Sequence, residues 1–284
     1  MPFTSLDYRG VVAIGGPDRQ KFLQGLVTQD VALTGPDRAL YAILLTPQGK
    51  FLHDLFIIET GDALWLDCEA ARIGDLIQRL SRYKLRSEID IADVSAEYGV
   101  AISSDKTPVD EPGRAQRYED GFMFTDPRLS ALGRRMILPR AKLPPRNDAV
   151  LHDCEYSRLT LGVPDGSRDM IPGESILLEY NLEQLNAISF SKGCYIGQEL
   201  TARTYHRALI KKRLFPVRIE GPCPAPDSPV IAGGQTAGVM RSALGDAGLA
   251  MIKLDAVRAK AVLHCGETKL VPFFPQWLHI DTNG

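Results

Sequence analysis

Residues Phe190 to Arg203 read FSKGCYIGQELTAR. Gly193 and Gly197 bracket a tight turn, because glycine enters backbone regions closed to other residues. A helix can begin near Gly197. Cys194 then lies just ahead of a helix N-terminus and two residues from Lys192, and both features favour a thiolate. Glu199 and Arg203 are spaced i, i+4 and can pair on one helical face. From the residues alone, the plainer reading is a glycine-rich turn holding a small buried cysteine.

Around this stretch lies a chain of 284 residues and 31.3 kDa, enough for one large domain or several small ones. It is 44% hydrophobic and 24% charged, which excludes a disordered chain. A net charge of −2 is unlike that of a general nucleic-acid or membrane-surface binder. No apolar run reaches the roughly 18 residues of a membrane span. The first ten residues have neither signal-peptide nor transit-peptide layout, so the expected location is the cytoplasm. Neither nucleic acid nor membrane is an expected partner, and a monomer is expected. The five cysteines, Cys68, Cys154, Cys194, Cys223 and Cys265, are widely spaced and read as reduced thiols with no C-x-x-C motif.

Gly16-Pro17-Asp18 starts a helix whose apolar face is Phe22, Leu23, Leu26 and Val27. Ala39 to Leu45 and Phe51 to Glu59 read as strands joined by the turn Pro47-Gln48-Gly49-Lys50, and Ala63 to Asp67 as a third. Ile73, Leu76, Ile77 and Leu80 mark a helix from about Glu69 to Arg82. Ile89, Ile91 and Val94 suit a strand. Lys106 to Gly113 reads as a loop, followed by short strands near Gly121 to Phe124 and Arg134 to Leu138. Asp148 is expected to cap a helix that Gly162-Val163-Pro164 ends. This interleaving suggests α+β. After Lys211, clustered prolines and glycines separate short apolar runs, which reads as a small β-barrel or sandwich. The expected division is therefore residues 1–210, with a second lobe at about 46–105, and residues 211–284.

The run from Lys192 to Glu199 resembles the K-G-C-Y-x-G-Q-E signature of the YgfZ folate-binding family, which includes a mitochondrial iron–sulfur cluster assembly factor. The resemblance continues in Phe22-Leu23-Gln24-Gly25, Thr28-Gln29-Asp30, Leu45 to Lys50, Asp126-Pro127-Arg128, Leu161 to Gly166, Tyr180-Asn181-Leu182 and Lys212-Arg213-Leu214. It implies the three-lobed fold of the aminomethyltransferase (GcvT-like) superfamily: two interleaved α+β lobes and a C-terminal barrel around a folate-sized cavity. The implied cofactor is tetrahydrofolate or another reduced folate. The implied partners are A-type iron–sulfur carrier proteins and 4Fe–4S client enzymes.

A pterin offers N–H donors and a glutamyl tail offers carboxylates. Asp54, Gln198 and Glu199 suit the first, and Arg203, Arg207 and Lys211 to Arg213 the second, although those last three read better as a solvated charge run at a domain junction. Tyr195 and Asn181 lie in the resembling stretches and complete the candidate cofactor site. Cys194 and Lys192 are the candidates for chemistry. No metal site of the chain's own is expected, but Cys194 suits a single ligand in a cluster shared with a partner. Asp54 shares its strand face with Leu52, Phe56 and Ile58, and either lines a cavity or meets an arginine or solvent. Two departures speak against aminomethyl transfer. Aminomethyltransferases carry G-G-I-x-D-D where this chain has Gly49 to Asp54, so His53 replaces the first acid. They carry L-R-L-E-A-G where this chain has Ser157 to Gly162, so Thr160 replaces the glutamate.

Overall fold

The computed structural model describes residues 2–103, 111–206 and 210–280. Strand β4 (Phe51–Glu59) is buried along its whole length, which is why its sequence shows no polar alternation. It sits between β3 (Leu40–Leu45) and β5 (Ala63–Glu69), and the sheet continues through β2 (Arg9–Gly15) to β6 (Asp90–Asp93). Leu55 and Ile57 face a core closed by α1 (Arg19–Gln24) and α2 (Ile73–Lys84). Phe56 and Ile58 point the opposite way, into the core at the centre of the molecule. Asp54 has the parity of that second group and is carried inward with it.

A second antiparallel sheet runs β1–β7–β10–β9–β8, with β1 Thr4–Ser5, β7 Tyr98–Ser103, β8 Ala115–Tyr118, β9 Gly121–Thr125 and β10 Arg134–Pro139. The two sheets are interleaved in the chain. Thr4 and Ser5 pair with β7 of the second sheet, and Arg9, only four residues on, begins β2 of the first. Helix α3 (Asp148–Leu161) follows, then the single turn α4 (Gly166–Asp169) and α5 (Gln198–His206). Strands β11 (Lys212–Glu220), β12 (Pro229–Ala232), β13 (Gln235–Leu244), β14 (Ala247–Lys253), β15 (Leu263–Cys265) and β16 (Thr268–Pro272) close into a barrel, with the short helix α6 (Leu254–Arg258) between β14 and β15. The architecture is the expected one: two interleaved α+β lobes followed by a C-terminal barrel.

Some local expectations shift. Asn147, not Asp148, caps α3: its side chain accepts from Ala149 N at 3.1 Å and Val150 N at 3.2 Å. Gly162 ends that helix at φ +76°, and a Cβ there would come within 3.0 Å of Pro216 in the barrel. A 3-10 turn, Ala70–Arg72, delays α2 to Ile73. Strands β2 and β7, which sequence reading missed, both contain glycine (Gly10, Gly15, Gly99), which weakens a strand pattern. The loop expected over Lys106 to Gly113 falls mostly outside the described residues.

Candidate functional site

Between the lobes, Arg9 donates through Nη1 to both Asp54 oxygens at 3.1 Å and through Nε to Asp67 Oδ1. Arg135 donates to the other Asp67 oxygen. Arg128 grips Asp126 through Nε at 3.0 Å and Nη2 at 2.8 Å. All six side chains are buried. The Phe56 ring lies among the three guanidiniums, at 3.8 Å from Arg135, 4.9 Å from Arg128 and 5.4 Å from Arg9. Three cations and three anions out of water are tolerable only when mutually paired. Burial pushes the Asp54 carboxyl upward, and Arg9 opposes that rise. Of the two sequence readings of Asp54, the structure places it against an arginine, beneath Arg9.

Beside this centre opens a cavity of about 560 Å³. Its walls come from β10, α3, α4, the segment before β2 and the end of β13. Six arginines line it, with Asp126, Asp148, Glu155 and Asp165 among them. Tyr8, 39% exposed as a residue, adds an aromatic ring, with the Arg168 guanidinium 5.9 Å from its centroid. Asp165 retains some exposure, with Arg168 at 2.8 Å. Burial alone would raise its carboxyl, but Arg158, Arg168, Arg9 and Arg128 hold it well below the usual carboxylate range. It is therefore a fixed anion facing the cavity, suited to accept N–H donors. Asp165 belongs to the Leu161–Gly166 stretch, yet nothing in its local pattern announced the role. Tyr8, Glu155 and Arg168 carried no signal at all, because distant segments assemble them.

The candidate residues from the signature stretch lie elsewhere. None of Lys192, Cys194, Tyr195, Gln198, Glu199 and Arg203 lines this cavity. Cys194, Glu199 and Arg203 are exposed, and no ion pair joins Glu199 to Arg203 among the described residues. Lys192 is buried, and its ammonium donates to Gln24 O, Val27 O and Gln29 O at 2.7–2.8 Å. Burial lowers its pKa to about 8, against the pull of Asp30. Its three donors serve as a clasp, so its charge is not directed at the neighbouring thiol. Tyr195 packs under this ammonium, 5.3 Å from ring centre. Asn181, at φ +59°, ties the barrel on: Nδ2 donates to Leu214 O at 2.8 Å, and Oδ1 accepts from Arg213 at 2.7 Å. Arg213 is thus a joint residue, bound also to Glu183. Arg207 lies outside the described residues.

The clasp explains why separate stretches of sequence go together. Ile196 N donates to Gly25 O at 3.1 Å, Ser189 N to Thr28 O at 3.0 Å, and Gln29 Nε2 to Asn186 O at 2.7 Å. Gly49 and Gly197, at φ +68° and +80°, let the β3–β4 turn approach the start of α5; a Cβ on Gly197 would stand 2.6 Å from Thr46 O. The segments 22–30, 45–50 and 186–203 form one unit, which presents Cys194 to solvent. The other residue read against catalysis, His53, lies on the helix-covered face of β4, with Nε2 2.8 Å from Asp75. Thr160 turns its hydroxyl to the carbonyls of Tyr156 and Ser157.

Two interleaved lobes, a barrel and a cavity between them define a protein of the aminomethyltransferase fold. A solved structure of glycine cleavage system aminomethyltransferase T from Bartonella henselae superposes with a TM-score of 0.76 over 97% of this chain and 86% of that one, at 11% identity. The family model for the CAF17 C-terminal beta-barrel domain matches residues 211–280. The mouse iron–sulfur cluster assembly factor IBA57, mitochondrial, is 35% identical, covering 96% of this chain and 84% of its own. The human factor of that name is 33% identical over the same shares, and a homologue from Mycosarcoma maydis is 35% identical over 74% and 55%. The chain belongs to the IBA57 family of iron–sulfur cluster assembly factors. The expected cytoplasmic location is overturned by these relatives, which are mitochondrial proteins.

Proposed function

We propose that the chain assists the assembly or repair of 4Fe–4S clusters in client enzymes, with a reduced folate held in the cavity between the lobes. The relatives' role in iron–sulfur cluster assembly supports the first half. The observation that carries the second is the cavity itself: about 560 Å³ lies within the roughly 300–1,000 Å³ usual for small-ligand sites. Its residues fit the group. Asp165 is an ionised acceptor for pterin N–H donors, Tyr8 supplies an aromatic wall, and the arginines suit a carboxylate tail. A bound reduced folate would supply ring nitrogens able to carry a one-carbon unit. The cluster is cargo. The exposed Cys194, on its clasped loop, is the candidate ligand for a cluster shared with an A-type carrier protein.

Aminomethyl transfer is the weaker reading. Both Asp54 oxygens are taken by Arg9, and Thr160 is bonded to its own helix. Loss of an orienting carboxylate commonly costs orders of magnitude in rate. One-carbon transfer from an aminomethylated carrier protein to tetrahydrofolate is therefore expected to be negligible. Turnover near roughly 1–10 per second would defeat this expectation. Calorimetric titration with tetrahydrofolate tests the cavity. The expected result is binding that Asp165→Asn weakens and Glu199→Gln leaves alone, and no heat at millimolar ligand would sink it. In cells, loss of the protein should lower 4Fe–4S enzyme activities while glycine cleavage stays intact.

A further inference from the structure

Five of the six cavity arginines have carboxylate partners. Arg128 holds Asp126, Arg135 holds Asp67, and Arg158 holds Glu155 and Asp169. Arg168 holds Glu155 and Asp165, and Arg146 holds Asp148 and Asp7. Arg134 has no ion-pair partner among the described residues. It opens β10, directly across from Ser103 of β7 on one side and Thr125 of β9 on the other. Side chains opposed in this way project to the same face. A guanidinium and two hydroxyls therefore form a row across three strands. Ser103 and Thr125 are buried, and the Ser103 hydroxyl has no hydrogen-bond partner among the described residues. Ser103 does not line the cavity and backs the row from within the sheet.

Arg134 also lines a second hollow of about 230 Å³, with Arg114, Gln116 and Thr125. It thus stands where the central cavity meets a smaller polar recess. That recess is below the usual size of an independent ligand site, but suits the extension of a ligand already seated in the cavity. We propose that Arg134, with the Thr125 hydroxyl beside it, binds the carboxylates of an oligo-γ-glutamyl tail, so that the cavity selects folates with more than one glutamate. Each added residue brings one carboxylate, which accepts from a guanidinium and a hydroxyl together. Arg146, which also lines the cavity, is already paired with Asp148 at 2.8 Å and has less to offer an anion. The inference rests on the folate reading of the cavity and goes beyond it by fixing where the tail leaves.

The test is calorimetric titration of the full chain with 5-formyltetrahydrofolate as its monoglutamate and as its tri-γ-glutamate. One further charge-assisted contact predicts about tenfold tighter binding of the triglutamate. In Arg134→Gln, that advantage should fall below about threefold. Thr125→Val should reduce the advantage in part, and Arg146→Gln should leave it. Circular dichroism and melting confirm that each variant is folded. Equal affinities for the two ligands, or an advantage that survives Arg134→Gln, overturns the tail site and leaves the folate reading standing. If neither ligand binds, the folate reading fails and the tail site fails with it.

Discussion

At the centre of the molecule, Arg9, Arg128 and Arg135 are shut away from water with Asp54, Asp67 and Asp126. In the signature loop, Glu199 and Arg203 stand exposed one helical turn apart, and no ion pair joins them among the described residues. The loop is held instead by backbone hydrogen bonds and by one buried lysine, Lys192. The difference separates two uses of polar residues. Buried charges have no alternative partner, so each bond among them is demanded by the fold. Exposed charges are already solvated, and their identities are free to serve a partner.

The largest expected effect follows from breaking the centre. Arg9→Met removes the arginine paired with the buried Asp54 and is expected to cost about 3–5 kcal/mol, read by urea unfolding. Arg203→Ala should cost less than about 0.5 kcal/mol, and a comparable loss at both sites would erase the distinction. Next comes pH. Burial, then Arg72, push His53 down to about 4, although Asp75 accepts its hydrogen bond. The folded imidazole stays neutral to about pH 4, whereas the unfolded one takes up a proton near 6.5. Stability from this group is complete above about pH 6.5 and is lost as pH falls toward 4. At about 1.4 kcal/mol per pKa unit, the loss reaches about 3 kcal/mol. Unfolding free energies at pH 7 and 4.5 should differ less in His53→Gln; an unchanged difference would assign the acid sensitivity to the carboxylates.

Lys192→Met tests the loop's one buried charge. It strands three carbonyls and should cost about 2–3 kcal/mol, with amide exchange accelerated at Ser189 and Ile196 before the β4 core opens. Exchange rising equally in β4 would show that loop and centre are one cooperative unit. The smallest structural effect belongs to Cys194→Ser, with unfolding unchanged within about 0.5 kcal/mol and maturation activity lost. Cys194 should alkylate faster than the buried Cys68 and Cys265 and faster than the exposed Cys223. If Cys223 reacts as fast, exposure alone sets the rate and the helix N-terminus adds nothing.

The same contrast governs what could be read from the sequence. The Phe51–Glu59 strand, the β3–β4 turn and the turn into α5 are local patterns, and each was legible. The Arg9–Asp54 pair spans 45 residues and the Arg135–Asp67 pair spans 68, and no periodicity connects such partners. The sequence marked Asp54 as an oddity on an apolar face, but could not say which arginine answered it. The cavity was legible only as an implication of family resemblance. Its lining, Tyr8, Asp165 and Arg168 among it, becomes a set only after the lobes interleave.

That interleaving bears on how the chain is made. A ribosome releases β1 and β2 almost together, yet β1 must wait for β7, and β2 for β5 and β6. The first lobe has its last strand only after residue 93, and the second only after residue 139. At about 5–20 residues per second, the N-terminal strands spend several seconds unpaired during synthesis. Pairings this far apart in sequence also make for slow collapse in dilute solution. The barrel, whose strands are all neighbours within residues 212–272, faces no such delay and is the part expected to refold first after dilution from denaturant.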